Sequence, residues 1–303
     1  MAEALDWARD SLTWPHSQAS RFVSVGDLRW HVQRLGPPGA PQVLLIHGTG
    51  SSSHSWRLLA PLLAARFDVV QFDLPGHAFT HTPATQALSL PAITDAVAAL
   101  LRQLEWRPAL LVGHSAGAAI ATQLVLERQV APAAVVAING ALLPLHGLAG
   151  RVFSPLARAL AGQSLVPRLF AWNASRPSVV ERLIDGTGSR LDGDGVRLYG
   201  RLVADAGHAA GALRMMAAWD LEALAARLPE LDAPLHLIAG ARDLTLPHDH
   251  SRRVQQRVPE ARLTVLAGLG HLAHEEDAAA VVGAMAPALA SLDARRNPGQ
   301  MPN

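Results

Sequence analysis

Ala109-Leu110-Leu111-Val112-Gly113-His114-Ser115-Ala116-Gly117-Ala118 is the stretch from which the rest of the chain is read. An apolar run of strand length meets a small-residue turn, and an apolar stretch compatible with a helix begins at Ala118. The turn has the form G-x-S-x-G with a serine at its apex. A turn sharp enough to lift a serine hydroxyl above a sheet brings the strand and helix backbones too close for side chains at Gly113 and Gly117. The pattern is only moderately specific alone. Its weight depends on an acid and a histidine following in the right order, on the right kind of loop.

Both follow. Leu235-His236-Leu237-Ile238-Ala239 reads as a buried strand ending in Gly240-Ala241-Arg242-Asp243. Leu263-Thr264-Val265-Leu266-Ala267 reads as another, ending in Gly268-Leu269-Gly270-His271. Asp243 and His271 thus lie just past the carboxyl ends of strands, the edge of an open parallel sheet where ligands bind. Serine needs an adjacent base to act as a nucleophile. His271 is the candidate base and later the proton donor to the leaving group. Asp243 is the candidate that fixes its tautomer. An oxyanion hole calls for preorganised backbone N–H groups. Ala116 supplies one candidate. Thr49, in the loop His47-Gly48-Thr49-Gly50 after the strand Val43 to Ile46, supplies the other.

At 303 residues, 50% hydrophobic and 17% charged, the chain is long enough for one large core. A net charge of +1, with no basic tract and no zinc-ligand pattern, argues against nucleic acid. All 26 basic residues are arginine, which excludes lysine chemistry, and the absence of cysteine excludes disulfides and thiolate catalysis. The charge-free run Ala131 to Gly150 has the length of a membrane span. It contains Pro132, Asn139, Pro144 and His146, so a buried strand followed by a loop is the better reading. No secretory signal is apparent, and the expectation is a soluble cytoplasmic protein with no membrane span.

Two strands around a Gly26-Asp27 turn are followed by six of parallel type, at Val43 to Ile46, Asp68 to Phe72, Ala109 to Val112, Ala134 to Ile138, Leu235 to Ala239 and Leu263 to Ala267. Helical stretches separate most of them, which predicts an α/β fold with a mostly parallel central sheet and helices on both faces. The alternation breaks after Ala141, where prolines and glycines divide helix-like pieces. The expected organisation is a core over 1–140, a helical lid insertion over 141–218, the second part of the core over 219–292, and a disordered tail over 293–303.

The chain resembles the α/β-hydrolase superfamily across roughly residues 20–290, through the three motifs above together with His47-Gly48 and Asp73-Leu74-Pro75-Gly76-His77. Ala78 departs from the commoner Asp-x-x-Gly-His-Gly. A narrower likeness rests on Trp14-Pro15, Arg29-Trp30-His31-Val32-Gln33, Ser53-His54-Ser55-Trp56, the elbow with Ala118-Ala119, Ile138-Asn139-Gly140-Ala141-Leu142, and Phe153-Ser154-Pro155-Leu156-Ala157. In these the chain is similar to the BchO family, magnesium-chelatase accessory proteins of bacteriochlorophyll biosynthesis. The superfamily resemblance implies an esterase-like serine hydrolase working through an acyl-enzyme, with no cofactor. The narrower one implies a role near magnesium insertion. Its partners would then be a small hydrophobic substrate such as a tetrapyrrole and a magnesium chelatase subunit. The alternative is a non-catalytic accessory protein that holds a porphyrin intermediate or docks on the chelatase.

Candidates for the substrate pocket are His47, His54, His114, Phe153, Phe170 and Met215. His47 also reads as a brace for the oxyanion loop. His54, His77, His81 and His146 show no metal-ligand spacing, so hydrogen-bonded or solvent-facing roles fit them better, and no metal site is expected. The insertion carries nine arginines against five acidic residues. Recognition of propionates is one reading of that excess, and a solvated helical surface is the simpler one.

Overall fold

A computed structural model describes residues 4–144 and 177–296 of the chain. All eight expected strands form one sheet: β1 (Ser20–Val25), β2 (Leu28–Leu35), β3 (Gln42–Ile46), β4 (Asp68–Phe72), β5 (Leu110–His114), β6 (Ala134–Ile138), β7 (Leu235–Gly240) and β8 (Arg262–Leu266). Their order is β1-β2-β4-β3-β5-β6-β7-β8. β2 runs antiparallel to both of its neighbours, and every other pairing from β4 to β8 is parallel. Gly26, at φ +55°, supplies the left-handed residue that a two-residue hairpin between β1 and β2 requires.

The central strands are apolar runs because both faces of the sheet are covered. Successive side chains point to opposite faces. Leu44, Ile46, Leu111, Val135 and Leu237 therefore join one core, with the helices α2 (Leu90–Gln103), α3 (Ala116–Leu126) and α7 (Asp249–Arg257). Val43, Leu45, Val112, Val136 and Ile238 join the other, with α1 (Leu59–Ala64), α8 (Ala278–Ala284) and α9 (Ala286–Arg296). Each fully buried Leu, Ile or Val contributes about 1.5–3 kcal/mol relative to exposure.

Between β6 and β7 the described residues form α4 (Pro177–Asp185), α5 (Gly193–Val203) and α6 (Ala206–Ala218). The last two start at aspartate caps: Asp192 accepts from the Gly195 N–H and Asp205 from the His208 N–H. α6 rests directly on the loop after β4. A Cβ at Gly211 would stand 1.8 Å from the Gly76 carbonyl oxygen, so the two glycines let backbone touch backbone. The remainder of the expected lid, with Phe153, Phe170 and His146, lies outside the described residues. At the other end α9 continues to Arg296, past residue 293, where the sequence reading starts the tail.

Candidate active site

The elbow is as tight as its glycines imply. A Cβ at Gly113 would stand 2.4 Å from backbone atoms of Gly117 and Ala118, and one at Gly117 would stand 2.0 Å from the Ile46 carbonyl oxygen at the end of β3. Ser115 itself sits at φ 50°, ψ −116°, a strained conformation for a side-chain-bearing residue. Strain of this kind is tolerated where surrounding structure dictates it. Here the Ser115 N–H is tied to the Ile138 carbonyl at 3.1 Å and the Ser115 carbonyl accepts from Ala118 and Ala141.

Asp243 and His271 are held together. His271 Nδ1 donates to Asp243 Oδ2 at 2.7 Å, which leaves Nε2 as the free acceptor of the ring. The other carboxylate oxygen, Oδ1, accepts the Thr245 and Leu246 N–H groups at 2.8 Å each, so the carboxylate cannot rotate without losing both. His271 and Ser115 line one cavity of about 600 Å³, and no hydrogen bond joins them at rest. Catalytic hydrogen bonds are often long until a substrate is in place.

Two further groups fix the histidine loop, and sequence reasoning assigned neither to this task. The His271 carbonyl accepts from Asn139 Nδ2 and from His114 Nε2, both at 2.8 Å. Asn139 Oδ1 in turn accepts the Gly240 N–H at 2.7 Å, tying the acid strand to the histidine loop. The Gly-rich turn after α4 threads between these loops. The Thr187 carbonyl accepts from both Leu244 and His271, and a Cβ at Gly188 would stand 1.9 Å from the Arg242 carbonyl oxygen. Asn139 stood in the motif Ile138-Asn139-Gly140, but its partners lie about a hundred residues downstream, beyond any local signal.

The loop His47-Gly48-Thr49-Gly50 is braced by neutral histidines. His47 donates from Nδ1 to the Gly48 carbonyl at 2.8 Å and accepts the Leu74 N–H on Nε2 at 2.9 Å. His77 accepts the Gly50 N–H at 3.0 Å, and His208 donates from Nε2 to the Gly50 carbonyl at 3.2 Å while accepting the Ala78 N–H on Nδ1 at 3.1 Å. Burial pushes the pKa of His47 and of His77 down to about 3 and that of His208 to about 4, so all three serve as backbone acceptors in the neutral form. A Cβ at Gly48 would stand 3.0 Å from the Ser115 Cβ, so this turn closes on Ser115. The N–H groups of Thr49 and Ala116 have no acceptor among the described residues.

A second network reaches the same turn from α5. The Ser51 hydroxyl meets the Tyr199 hydroxyl at 3.2 Å, and Tyr199 donates to Glu275 Oε1 at 2.8 Å. Glu275 also pairs with Arg57, which holds Asp192 at 2.8 Å. Burial raises Glu275 to about 7 against the opposing pull of Arg57.

Of the pocket candidates, His114 lines the cavity. His47 and His54 do not: both are wholly buried beneath the loop, His54 with Nδ1 against Ser52 Oγ at 2.6 Å. Met215 is buried against Thr49, and its neighbour Met216 faces the cavity instead, because one helical step turns a side chain by about 100°. Tyr199, His208 and Leu213 line it without having been singled out. Phe153 and Phe170 lie outside the described residues. Among the described residues no group of His, Cys, Asp or Glu forms a metal site, and no helix is long and apolar enough to cross a membrane.

The pattern of the alpha/beta hydrolase fold family matches residues 41–278, from β3 to the start of α8. The chain belongs to the α/β-hydrolase family. A relative in Rhodobacter capsulatus, named as the magnesium-chelatase 30 kDa subunit, is 40% identical over 263 residues, covering 86% of this chain and 91% of its own, in line with the BchO resemblance. Among solved structures, 2-hydroxy-6-oxo-6-phenylhexa-2,4-dienoate hydrolase from Rhodococcus sp. strain RHA1 matches with a TM-score of 0.71 at 25% identity, covering 90% of this chain and 98% of that one. A thermophilic esterase from Thermogutta terrifontis matches equally in fold, with a TM-score of 0.71 at 19% identity, over 90% of this chain and 98% of that one. This α/β-hydrolase thus shares its fold with both of these proteins.

Proposed function

We propose that the chain is a cytoplasmic serine hydrolase that cleaves an ester of a hydrophobic substrate, acting in bacteriochlorophyll biosynthesis near the magnesium chelatase step. The observation that carries the chemistry is the Asp243–His271 pair, whose free Nε2 belongs to a ring lining the same cavity as Ser115. In this reading His271 takes the Ser115 proton as Oγ attacks the ester carbonyl. The charge that develops on the carbonyl oxygen is met by the Thr49 and Ala116 N–H groups and by the amino end of α3. His271 then gives its proton to the departing alkoxide as the C–O bond breaks, leaving the acyl group on Ser115. Water, deprotonated by the same ring, releases the acid and restores the serine. Asp243 stabilises the imidazolium throughout. The helices inserted between β6 and β7 serve as a lid that walls the cavity.

The test is fluorophosphonate labelling of purified protein, with the modified peptide mapped and Ser115→Ala as control. Stoichiometric labelling at Ser115 is the expected result. Folded protein that neither labels nor turns over any activated ester would remove the catalytic reading.

A second reading is favoured by the name of the Rhodobacter relative: a non-catalytic accessory protein that holds a tetrapyrrole or docks on a chelatase subunit. Full restoration of pigment synthesis by Ser115→Ala in a deletion strain would support it over the first.

A further inference from the structure

The cavity around Ser115 is walled by side chains of α4, α5 and α6 together with the oxyanion and histidine loops, and among the described residues not one Asp, Glu, Arg or Lys lines it. Among the described lining residues, the imidazoles of His114 and His208 are kept neutral by burial. The arginines of the described insertion are engaged elsewhere. Arg197 pairs with Asp194 at 3.2 Å and Arg201 with Asp10 at 2.9 Å, while Arg214 donates to the Ala84 and Gln86 carbonyls. Arg182 and Arg190 are exposed and do not reach the lining either. The positive end of α3 acts at Ser115 and fades within one helical turn. An anion set against these apolar walls would exchange its water for no counter-charge among the described residues, which is the costly case for a buried ion.

We infer that the cavity accepts only a neutral acyl group: the substrate is an uncharged ester, and an ester bearing a free carboxylate away from its scissile bond is refused. The inference rests on the hydrolase reading for the word ester, but its core, exclusion of charge, concerns binding alone. It bears on substrates that carry several carboxyl groups. Those groups must be esterified or remain outside the cavity when the reacting bond reaches Ser115.

Two probe pairs test it. para-Nitrophenyl octanoate and the mono-para-nitrophenyl ester of suberate present the same chain, ending in a methyl group or in a carboxylate. At neutral pH the neutral ester is expected to have the higher kcat/KM by about a hundredfold or more. Leu213→Arg, which puts a guanidinium on the cavity wall, is expected to narrow that ratio at least about tenfold. Met216→Arg replaces it should that variant not fold. The second pair is methyl octanoate and monomethyl suberate, titrated calorimetrically into Ser115→Ala protein, where no turnover occurs. Binding of the first at least about tenfold tighter than the second is expected. If neither nitrophenyl ester turns over while the methyl pair still discriminates, the hydrolase reading fails and the charge inference stands. Equal rates or equal binding within a pair, or failure of methyl octanoate to bind, would overturn the inference.

Discussion

Asn139 donates from its side-chain amide to the His271 carbonyl at 2.8 Å while accepting the Gly240 N–H at 2.7 Å, so one side chain sets the distance between the acid strand and the histidine loop. Asn139 also sits at φ 43°, a region that Asn and Asp tolerate better than other side chains. Asn139→Asp keeps that tolerance and the acceptor while removing the donor. It is expected to cost about 1–3 kcal/mol in urea unfolding, because the Gly270 and His271 carbonyls, which accept from Asn139 Nδ2 at 3.0 and 2.8 Å, both lose that donor. It should lower kcat for ester hydrolysis more than it raises KM. Unchanged turnover in the folded variant would mean that the histidine loop holds its own position.

Asp243→Asn tests the tautomer. The two loop N–H groups that bind Oδ1 would hold the amide oxygen in that place and turn the NH₂ toward His271 Nδ1. The ring must then carry its proton on Nε2, where it cannot accept one from serine. Turnover is expected to fall by about four orders of magnitude, as in the Ser-His-Asp proteases, with thermal unfolding little changed. Loss of folding in place of loss of rate would reassign Asp243 to a structural role.

Acid should unfold this protein abruptly. His47, His77 and His274 are held down to about 3, His208 to about 4, and His54 and His114 well below their ordinary value, all chiefly by burial. A histidine whose folded pKa is depressed is protonated first in the unfolded chain, so its contribution is complete above the unfolded value of about 6.5 and declines below it. Six such groups, at about 1.4 kcal/mol each for the first pH unit, remove about 8 kcal/mol, comparable with the whole stability of a domain. Glu275, raised to about 7, works in the opposite sense between its unfolded value and 7, but it is one group against six. Circular dichroism should therefore show cooperative unfolding between about pH 5 and 6. A native spectrum retained at pH 4.5 would contradict the neutral, buried histidines.

Glycine substitutions should separate sharply by site. Gly117→Ala forces a methyl group to 2.0 Å from the Ile46 carbonyl, and a loss of at least about 3 kcal/mol or failure to fold is expected. Gly283→Ala, in an exposed helical position with nothing within 4 Å, should gain about 0.5–1 kcal/mol. Equal effects at the two positions would show that the elbow can relax.

The sheet was readable in the sequence because each central strand is a short apolar run bounded by turn residues, a pattern that survives without knowledge of neighbours. The places of Ser115, Asp243 and His271 just past strand ends were readable for the same reason, each following such a run. α5 and α6 were not. Their glycines, Gly193, Gly195, Gly200, Gly207 and Gly211, weaken the helical pattern, so their starts at the Asp192 and Asp205 caps stand out only in the structure. The pocket was the least legible part. His47 and His54 look like ligand-facing groups in a sequence, yet they are buried acceptors and packing partners whose bonds run to distant backbone. Choosing Met216 over Met215 requires the rotation of α6 about its axis, which tertiary packing alone determines.

The contact between Gly76 and Gly211 has a consequence for descent. With a carbonyl 1.8 Å from where a Cβ would stand, the core loop and the inserted helix cannot drift independently at these two positions. A lineage that exchanges its inserted helices for others, to suit another substrate, must deliver a glycine at the height of Gly211 or lift the helix off the loop. That lift would move Met216 and His208, the wall of the cavity, in the same stroke. Divergence in what this α/β-hydrolase accepts is thus channelled through a residue that has no side chain.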